Sequence, residues 1–209
     1  MQEREVIYKD NRCLRCGACS EQCPQGAIHV NDIVVTNLDL CDRCGTCLDF
    51  CYADAREIAG QDISVDELLH ELVKDRSFFE ESGGGVTLSG GEPLMQPEFV
   101  HSILAECKSR GLHTALDTCG FTEWSHIDKI RPFVDLFLFD LKIMDDAEHI
   151  KFVGVSNYII LNNLKRLSDL GQKIVIRVPV IPGITNDEKN LNAISEFVKN
   201  LQGNHKVDL

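Results

Sequence analysis

The sequence predicts an α/β protein, with a parallel sheet that is open or curled into part of a barrel, preceded by a small cysteine-rich domain. Three observations predict it. Eight of the ten cysteines fall within residues 13–51 of the 209. After about Gly60 the chain reads as helices alternating with short β-branched runs. Four successive strands of that second region end in glycine or charged residues. The domains are therefore expected at residues 1–60 and 61–209.

The cysteines form two copies of C-x2-C-x2-C-x3-C, Cys13, Cys16, Cys19, Cys23 and Cys41, Cys44, Cys47, Cys51, offset by 28 residues (41 − 13). This is a two-cluster ferredoxin signature. Three closely spaced cysteines grip three irons of a 4Fe-4S cube, and the fourth reaches the neighbouring cube. The expected ligand sets are Cys13, Cys16, Cys19, Cys51 for one cluster and Cys23, Cys41, Cys44, Cys47 for the other. Other positions recur as well: Arg15 and Gly17 as Arg43 and Gly45, Ala27 as Ala55, and apolar Val30 as Ile58. Pro24 becomes Tyr52. Paired zinc sites would need wider separation between cysteine pairs.

This cysteine density, without a secretory leader in the polar residues 1–12, points to a reducing, cytoplasmic setting rather than to disulfides. No run approaches the roughly 20 apolar residues of a membrane span, so no membrane association is expected. A net charge of −12 disfavours nucleic acid and anionic lipid as partners, and leaves open a protein with a basic patch.

In the second region, Ser64 with Glu67 forms a capping box that opens a helix through about Asp75. Val86–Ser89 reads as a strand, Pro97 starts a helix that Gly111 ends, and His113–Asp117 is the next strand. Asp135–Leu141 reads as a strand buried on both faces, and a helix from about Ser156 stops at Gly171. Lys173–Val178 is a further strand, Asp187 to Asn200 a helix, and Lys206–Leu209 a last strand.

Ligands of parallel βα folds bind at the C-terminal ends of the strands, so polar residues there carry weight. Ser89-Gly90-Gly91-Glu92-Pro93 closes the first strand, Asp117-Thr118-Cys119-Gly120 the second and Asp140-Leu141-Lys142 the third, while Arg177 sits in the fourth. Gly90 and Gly91 let backbone carbonyls approach a ligand, and Glu92 adds a carboxylate for an ammonium. Lys142 and Arg177 offer positive charge to a carboxylate, and Asp117 and Asp140 suit ribose hydroxyls or a small cation. The set suits a zwitterionic amino-acid ligand. Taken singly, each element reads more often as a turn, a helix cap or a solvated lysine than as a site; their ordered recurrence favours a site. Cys107 and Cys119 read as packing residues, the seven histidines show no metal-ligand spacing, and Trp124 and the ten phenylalanines read as core.

Taken together, Ser-Gly-Gly-Glu-Pro, Leu-Asp-Thr-Cys-Gly, Phe-Asp-Leu-Lys, Val-Gly-Val-Ser-Asn (153–157) and Arg-Val-Pro-Val-Ile-Pro-Gly resemble the glycyl-radical-enzyme activating enzymes. These are radical S-adenosylmethionine (SAM) proteins related to pyruvate formate-lyase activase. The closer match is the subgroup carrying a two-cluster ferredoxin insertion, which residues 5–58 resemble. The resemblance implies a partial radical SAM (β/α) barrel. It implies that Gly90, Gly91 and Glu92 hold the methionyl amine, and that Lys142 and Arg177 meet the methionyl carboxylate or its surroundings. Asp117, Thr118 and Asp140 would hold a monovalent cation or cofactor hydroxyls.

It also implies an oxidoreductase activity, the reductive cleavage of SAM to place a glycyl radical on a partner enzyme. The implied partners are a glycyl radical enzyme and a flavodoxin or ferredoxin reductant. The family's C-x3-C-x2-C loop, which holds a third, SAM-ligating cluster, is absent, and no catalytic residue is identifiable. The chain is therefore expected to be the middle of a longer protein, without its first barrel strand and C-terminal end, and inactive alone. The alternatives are a stand-alone 4Fe-4S electron-transfer protein, or a cofactor-binding remnant without catalysis.

Overall fold

The computed structural model describes residues 5–209 and divides into two compact units that meet in sequence at Ile63 and Ser64. The first unit carries an internal twofold. Its elements are β1 (Glu5–Tyr8), α1 (Ala18–Glu21), β2 (Ile28–Val30), β3 (Val34–Thr36), α2 (Thr46–Asp49) and β4 (Arg56–Ala59). The two helices repeat at the offset of the cysteines (46 − 18 = 28). β1 pairs antiparallel with β4, and β2 with β3. The Lys9 N–H donates to the Ala55 carbonyl at 2.8 Å, and the equivalent Asn37 N–H donates to the Ala27 carbonyl at 2.8 Å. Arg15 and Arg43 both take positive φ, 52° and 58°, and Gly17 and Gly45 follow at 84° and 86°. A left-handed arginine costs on the order of 1–2 kcal/mol, and both repeats carry it to turn the backbone around their cysteines. Ile28, Val34 and Cys47 form the small core, with Cys13, Cys19 and Cys23 packed against it.

The second unit is a five-stranded, wholly parallel sheet of β5 (Gly85–Leu88), β6 (His113–Thr118), β7 (Leu136–Asp140), β8 (Ile174–Arg177) and β9 (Lys206–Asp208). Its helices are α3 (Val65–Lys74), α4 (Arg76–Ser82), α5 (Pro97–Ser109), α6 (Trp124–Ile130), α7 (Asp146–Val153), α8 (Tyr158–Asp169) and α9 (Glu188–Lys199). The capping box of α3 is formed, with the Glu67 N–H on Ser64 Oγ at 3.2 Å and the Ser64 N–H on Glu67 Oε2 at 2.8 Å. Strand order follows chain order, so right-handed crossovers place every connecting helix on the same side, as in a segment of a barrel. Leu116, Phe137, Phe139 and Ile176 pack there against Ile103, Leu104, Ile127, Leu164 and Leu167.

Two expectations are corrected. The strand Leu136–Asp140 is not buried on both faces: Phe137 and Phe139 are buried, whereas Leu136 and Leu138 are half-buried on the helix-free side. The aromatics are also not uniformly core. Phe50, Phe78, Phe121 and Phe152 are exposed, and Trp124 is half-buried with the Arg166 guanidinium 4.1 Å from its ring centroid. Phe78, Trp124 and Phe152 lie on α4, α6 and α7, short helices that the sequence pattern did not reveal. None of the described helices is long and apolar enough to cross a membrane.

Candidate functional site

In the first unit a cavity of about 140 Å³ is lined by Cys13, Cys16, Cys19 and Cys51, together with Tyr8, Val30 and Arg56. Cys51 belongs to the second repeat and reaches this cavity because the β1–β4 pairing folds the end of that repeat back onto the start of the chain. The Ala55 N–H donates to Cys51 Sγ at 3.3 Å, and the Ala27 N–H to Cys23 Sγ at the same distance. Such N–H···S contacts stabilise a thiolate ligand and tune a cluster bound to it. Cys47, of the other expected set, is buried, while Cys44 is exposed with its sulfur 3.4 Å from Thr46 Oγ1. Among the described residues no three of Cys, His, Asp or Glu close on a single metal ion.

In the second unit the predicted residues gather where β5–β8 end. Gly90 has φ 131°, open only to glycine, and a Cβ at Gly90 or Gly91 would meet nothing within 4 Å, so this backbone faces free space. Glu92 is anchored by three donors: Thr118 Oγ1 at 2.7 Å, the Leu94 N–H at 3.0 Å and the Cys119 N–H at 2.8 Å. A carboxylate has about four lone-pair sites; these three donors fill three of them, and the Cys119 thiol is in reach of the fourth. Thr118 Oγ1 also accepts from the Gly120 N–H at 2.9 Å, and Ser89 Oγ donates to Asp117 Oδ2 at 2.9 Å.

Arg177 donates to Asp140 Oδ1 through Nε at 3.0 Å and Nη2 at 2.7 Å, and Nη2 also bonds Asp117 Oδ1. Burial opposes the guanidinium charge, but Asp140 and Asp117 outweigh it and raise the Arg177 pKa above its ordinary value. The structure thus places Arg177 between two aspartates rather than as a free cation for a carboxylate. Lys142 differs: half-buried, it makes no ion pair among the described residues.

Lys142 and Asp140 line a cavity of about 220 Å³ with Cys119, His149 and Asn157. Cys119 joins the two halves of the site, since its N–H holds Glu92 while it borders the Lys142 cavity. Burial, and then the hydrogen bond to Glu92, push its thiol up to about 11, so it stays neutral at ordinary pH. A larger cavity, of about 420 Å³ between α7 and the segment following β8, contains none of the predicted site residues.

Buried asparagines to which the sequence reading gave no role hold these loops. Asn157 Nδ2 donates to the Ile143 and Met144 carbonyls at 3.0 and 2.9 Å. Asn163 holds the Gly120 and Thr122 carbonyls, and Asn190 those of Lys142 and Thr185. Asn163 and Asn190 lie on helix positions that otherwise favour apolar residues, and an uncapped asparagine there was the available signal. Arg56 was also missed; aligning the two repeats shows it in the place of Ile28.

Residues 46–192 match the Radical SAM superfamily and residues 5–52 the 4Fe-4S dicluster domain. The trans-4-hydroxy-L-proline dehydratase activating enzyme of Clostridioides difficile is 44% identical over 98% of this chain and 73% of its own length. The chain belongs to the glycyl-radical-enzyme activating enzymes of the radical SAM superfamily. The choline trimethylamine-lyase activating enzyme of Oleidesulfovibrio alaskensis is 39% identical over 97% of this chain and 66% of its own length. The chain thus spans about two thirds to three quarters of these activating enzymes. A solved domain of pyruvate-formate lyase-activating enzyme from Bacteroides vulgatus shares 39% identity at a TM-score of 0.56, covering 60% of this chain and 79% of that one. Within the activating enzymes the family implies iron–sulfur clusters and SAM. The thiol-lined cavity of the first unit and the glycine–carboxylate edge of the second are chemically suited to them.

Proposed function

We propose that this chain supplies the auxiliary-cluster domain and the SAM-binding sheet edge of an enzyme that activates a partner glycyl radical enzyme. The observation that carries the reading is Glu92, a carboxylate fixed by three donors beside open glycine backbone. An electron carrier alone has no use for such an arrangement. Gly90, Gly91 and Glu92 would take the methionyl ammonium, and Lys142 the methionyl carboxylate. Asp117, Thr118 and Asp140 would sit beside the cofactor hydroxyls. Of the two readings of the aspartates, ribose hydroxyls are favoured over a monovalent cation, because Arg177 already supplies them with positive charge.

Cys13, Cys16, Cys19 and Cys51 would hold one 4Fe-4S cluster, and Cys23, Cys41, Cys44 and Cys47 a second, loaded by a one-electron donor such as a flavodoxin or ferredoxin in the cytoplasm. Bound SAM would supply radical chemistry, given an electron from a third cluster held by a C-x3-C-x2-C loop, and these residues contain no such loop. What this chain's own residues do is bind and orient the cofactor and exclude water from it.

Calorimetry on the anaerobically reconstituted chain tests the reading. SAM binds with release of heat, Lys142→Ala weakens binding about tenfold, equivalent to about 1.4 kcal/mol, and no 5′-deoxyadenosine forms under dithionite. Absence of SAM binding by the cluster-loaded chain overturns it.

A further inference from the structure

Arg56 is a buried cation with no counter-charge among the described residues. The residue is only 5% exposed. Nη1 donates to Thr36 Oγ1 at 3.1 Å, the guanidinium carbon lies 5.4 Å from the centre of the Tyr8 ring, and no carboxylate pairs with it among the described residues. Nη2 is buried and has no hydrogen-bond partner. A guanidinium does not deprotonate in proteins, and an unpaired buried charge is strongly unfavourable, so this group calls for a counter-charge. The residue lines the cavity bordered by Cys13, Cys16, Cys19 and Cys51. At the equivalent place in the first repeat (56 − 28 = 28) stands Ile28, 3% exposed and apolar.

We infer that Arg56 is a positioning residue for charge, compensating the cluster held by Cys13, Cys16, Cys19 and Cys51 and making it the easier of the two to reduce. The inference rests on the ligand sets proposed above. A thiolate-bound cluster is anionic and gains one further negative charge when it accepts one electron from an external donor. A fixed cation lining the same cavity therefore favours the reduced form. Ile28, at the equivalent place in the other repeat, brings no charge. The two repeats thereby acquire different potentials, which gives electrons a preferred resting place within the pair.

The test is a spectroelectrochemical titration, followed by electron paramagnetic resonance, of the whole reconstituted chain with dithionite as reductant. In wild type two waves are expected. Arg56→Ile, which copies the first repeat, keeps about eight iron and moves one wave to more negative potential, by at least tenfold in the reduced-to-oxidised ratio, or about 59 mV. The other wave moves less, and Arg56→Lys, which keeps the charge, shifts the first wave less than Arg56→Ile does. If Arg56→Ile does not load, Arg56→Gln is held to the same criterion. Fully loaded Arg56→Ile or Arg56→Gln with both waves unmoved overturns the role of Arg56 alone. A wild-type chain that takes up no clusters overturns the ligand assignment and this inference with it.

Discussion

Thr118 Oγ1 donates to Glu92 Oε1 at 2.7 Å, fastening the turn after β5 to the end of β6. Thr118 is only 2% exposed, so its hydroxyl depends on this partner. Glu92 is thus both a candidate ligand for the methionyl ammonium and the clamp between two strand ends. Glu92→Ala is expected to lower stability by about 1–3 kcal/mol, the cost of stranding buried donors, and to weaken SAM binding by about 1.5–3 kcal/mol. Glu92→Gln keeps an acceptor for Thr118 and retains most of the stability while losing the charge. Denaturant unfolding and calorimetry on the same variants separate the two effects; equal unfolding midpoints for Glu92→Ala and wild type would remove the clamp.

Gly120 and Gly171 share a φ of 70°, but a Cβ at Gly120 would run into the Phe139 ring and one at Gly171 would meet nothing within 4 Å. Gly171→Ala therefore carries only the left-handed penalty of about 1–2 kcal/mol. Gly120→Ala adds an overpacking cost of about 1–3 kcal/mol, because Phe139 is fully buried and cannot move aside. Thermal unfolding of the two variants side by side checks this, and an equal loss of stability would contradict it.

Cys51 lines the cavity of the first repeat's cysteines. Cys51→Ala is therefore expected to lower iron from about eight to about four per chain. Adding Cys13→Ala should then remove no more iron, whereas adding Cys41→Ala should remove the remainder. Iron and sulfide analysis of the single and paired variants provides the measurement; further loss on adding Cys13→Ala would mean that Cys51 serves the other set.

Asp135 ties β6 to β7. Its Oδ2 accepts from the Thr114 N–H at 3.0 Å and Thr114 Oγ1 at 3.2 Å, and Oδ1 pairs with Lys108. Burial would raise its pKa, but Lys108 and Thr114 outweigh burial and hold it below the usual aspartate value. With a depressed folded value, its contribution to stability is present above the unfolded value of about 3.9 and is lost as the pH falls below that through the folded one. Urea unfolding between neutral and acid pH should show a shallower loss in Asp135→Asn than in wild type. Parallel profiles would discount the group.

Local regularities made much of this protein legible from its residues. Cysteine spacing needs only a short chain segment to define a ligand set, and the Ser64–Glu67 box and the glycines after α5 and α8 act within one helical turn. The strands and their order of ligand-bearing ends followed from the same periodicity. The partnerships at those ends are long-range. Glu92 meets Thr118 26 residues away, and Arg177 meets Asp140 and Asp117 across 37 and 60 residues. Only folding could determine that Arg177 is taken by aspartates while Lys142 makes no ion pair among the described residues. Burial was likewise a tertiary matter: the same apolar run, Leu136–Phe139, is covered on one side only because every crossover helix lies on that side. Arg56 shows the division most clearly, since its sequence neighbours resemble those of Ile28. Only the packing of β4 beside the thiol-lined cavity turns that single exchange into a buried charge with no counter-charge among the described residues.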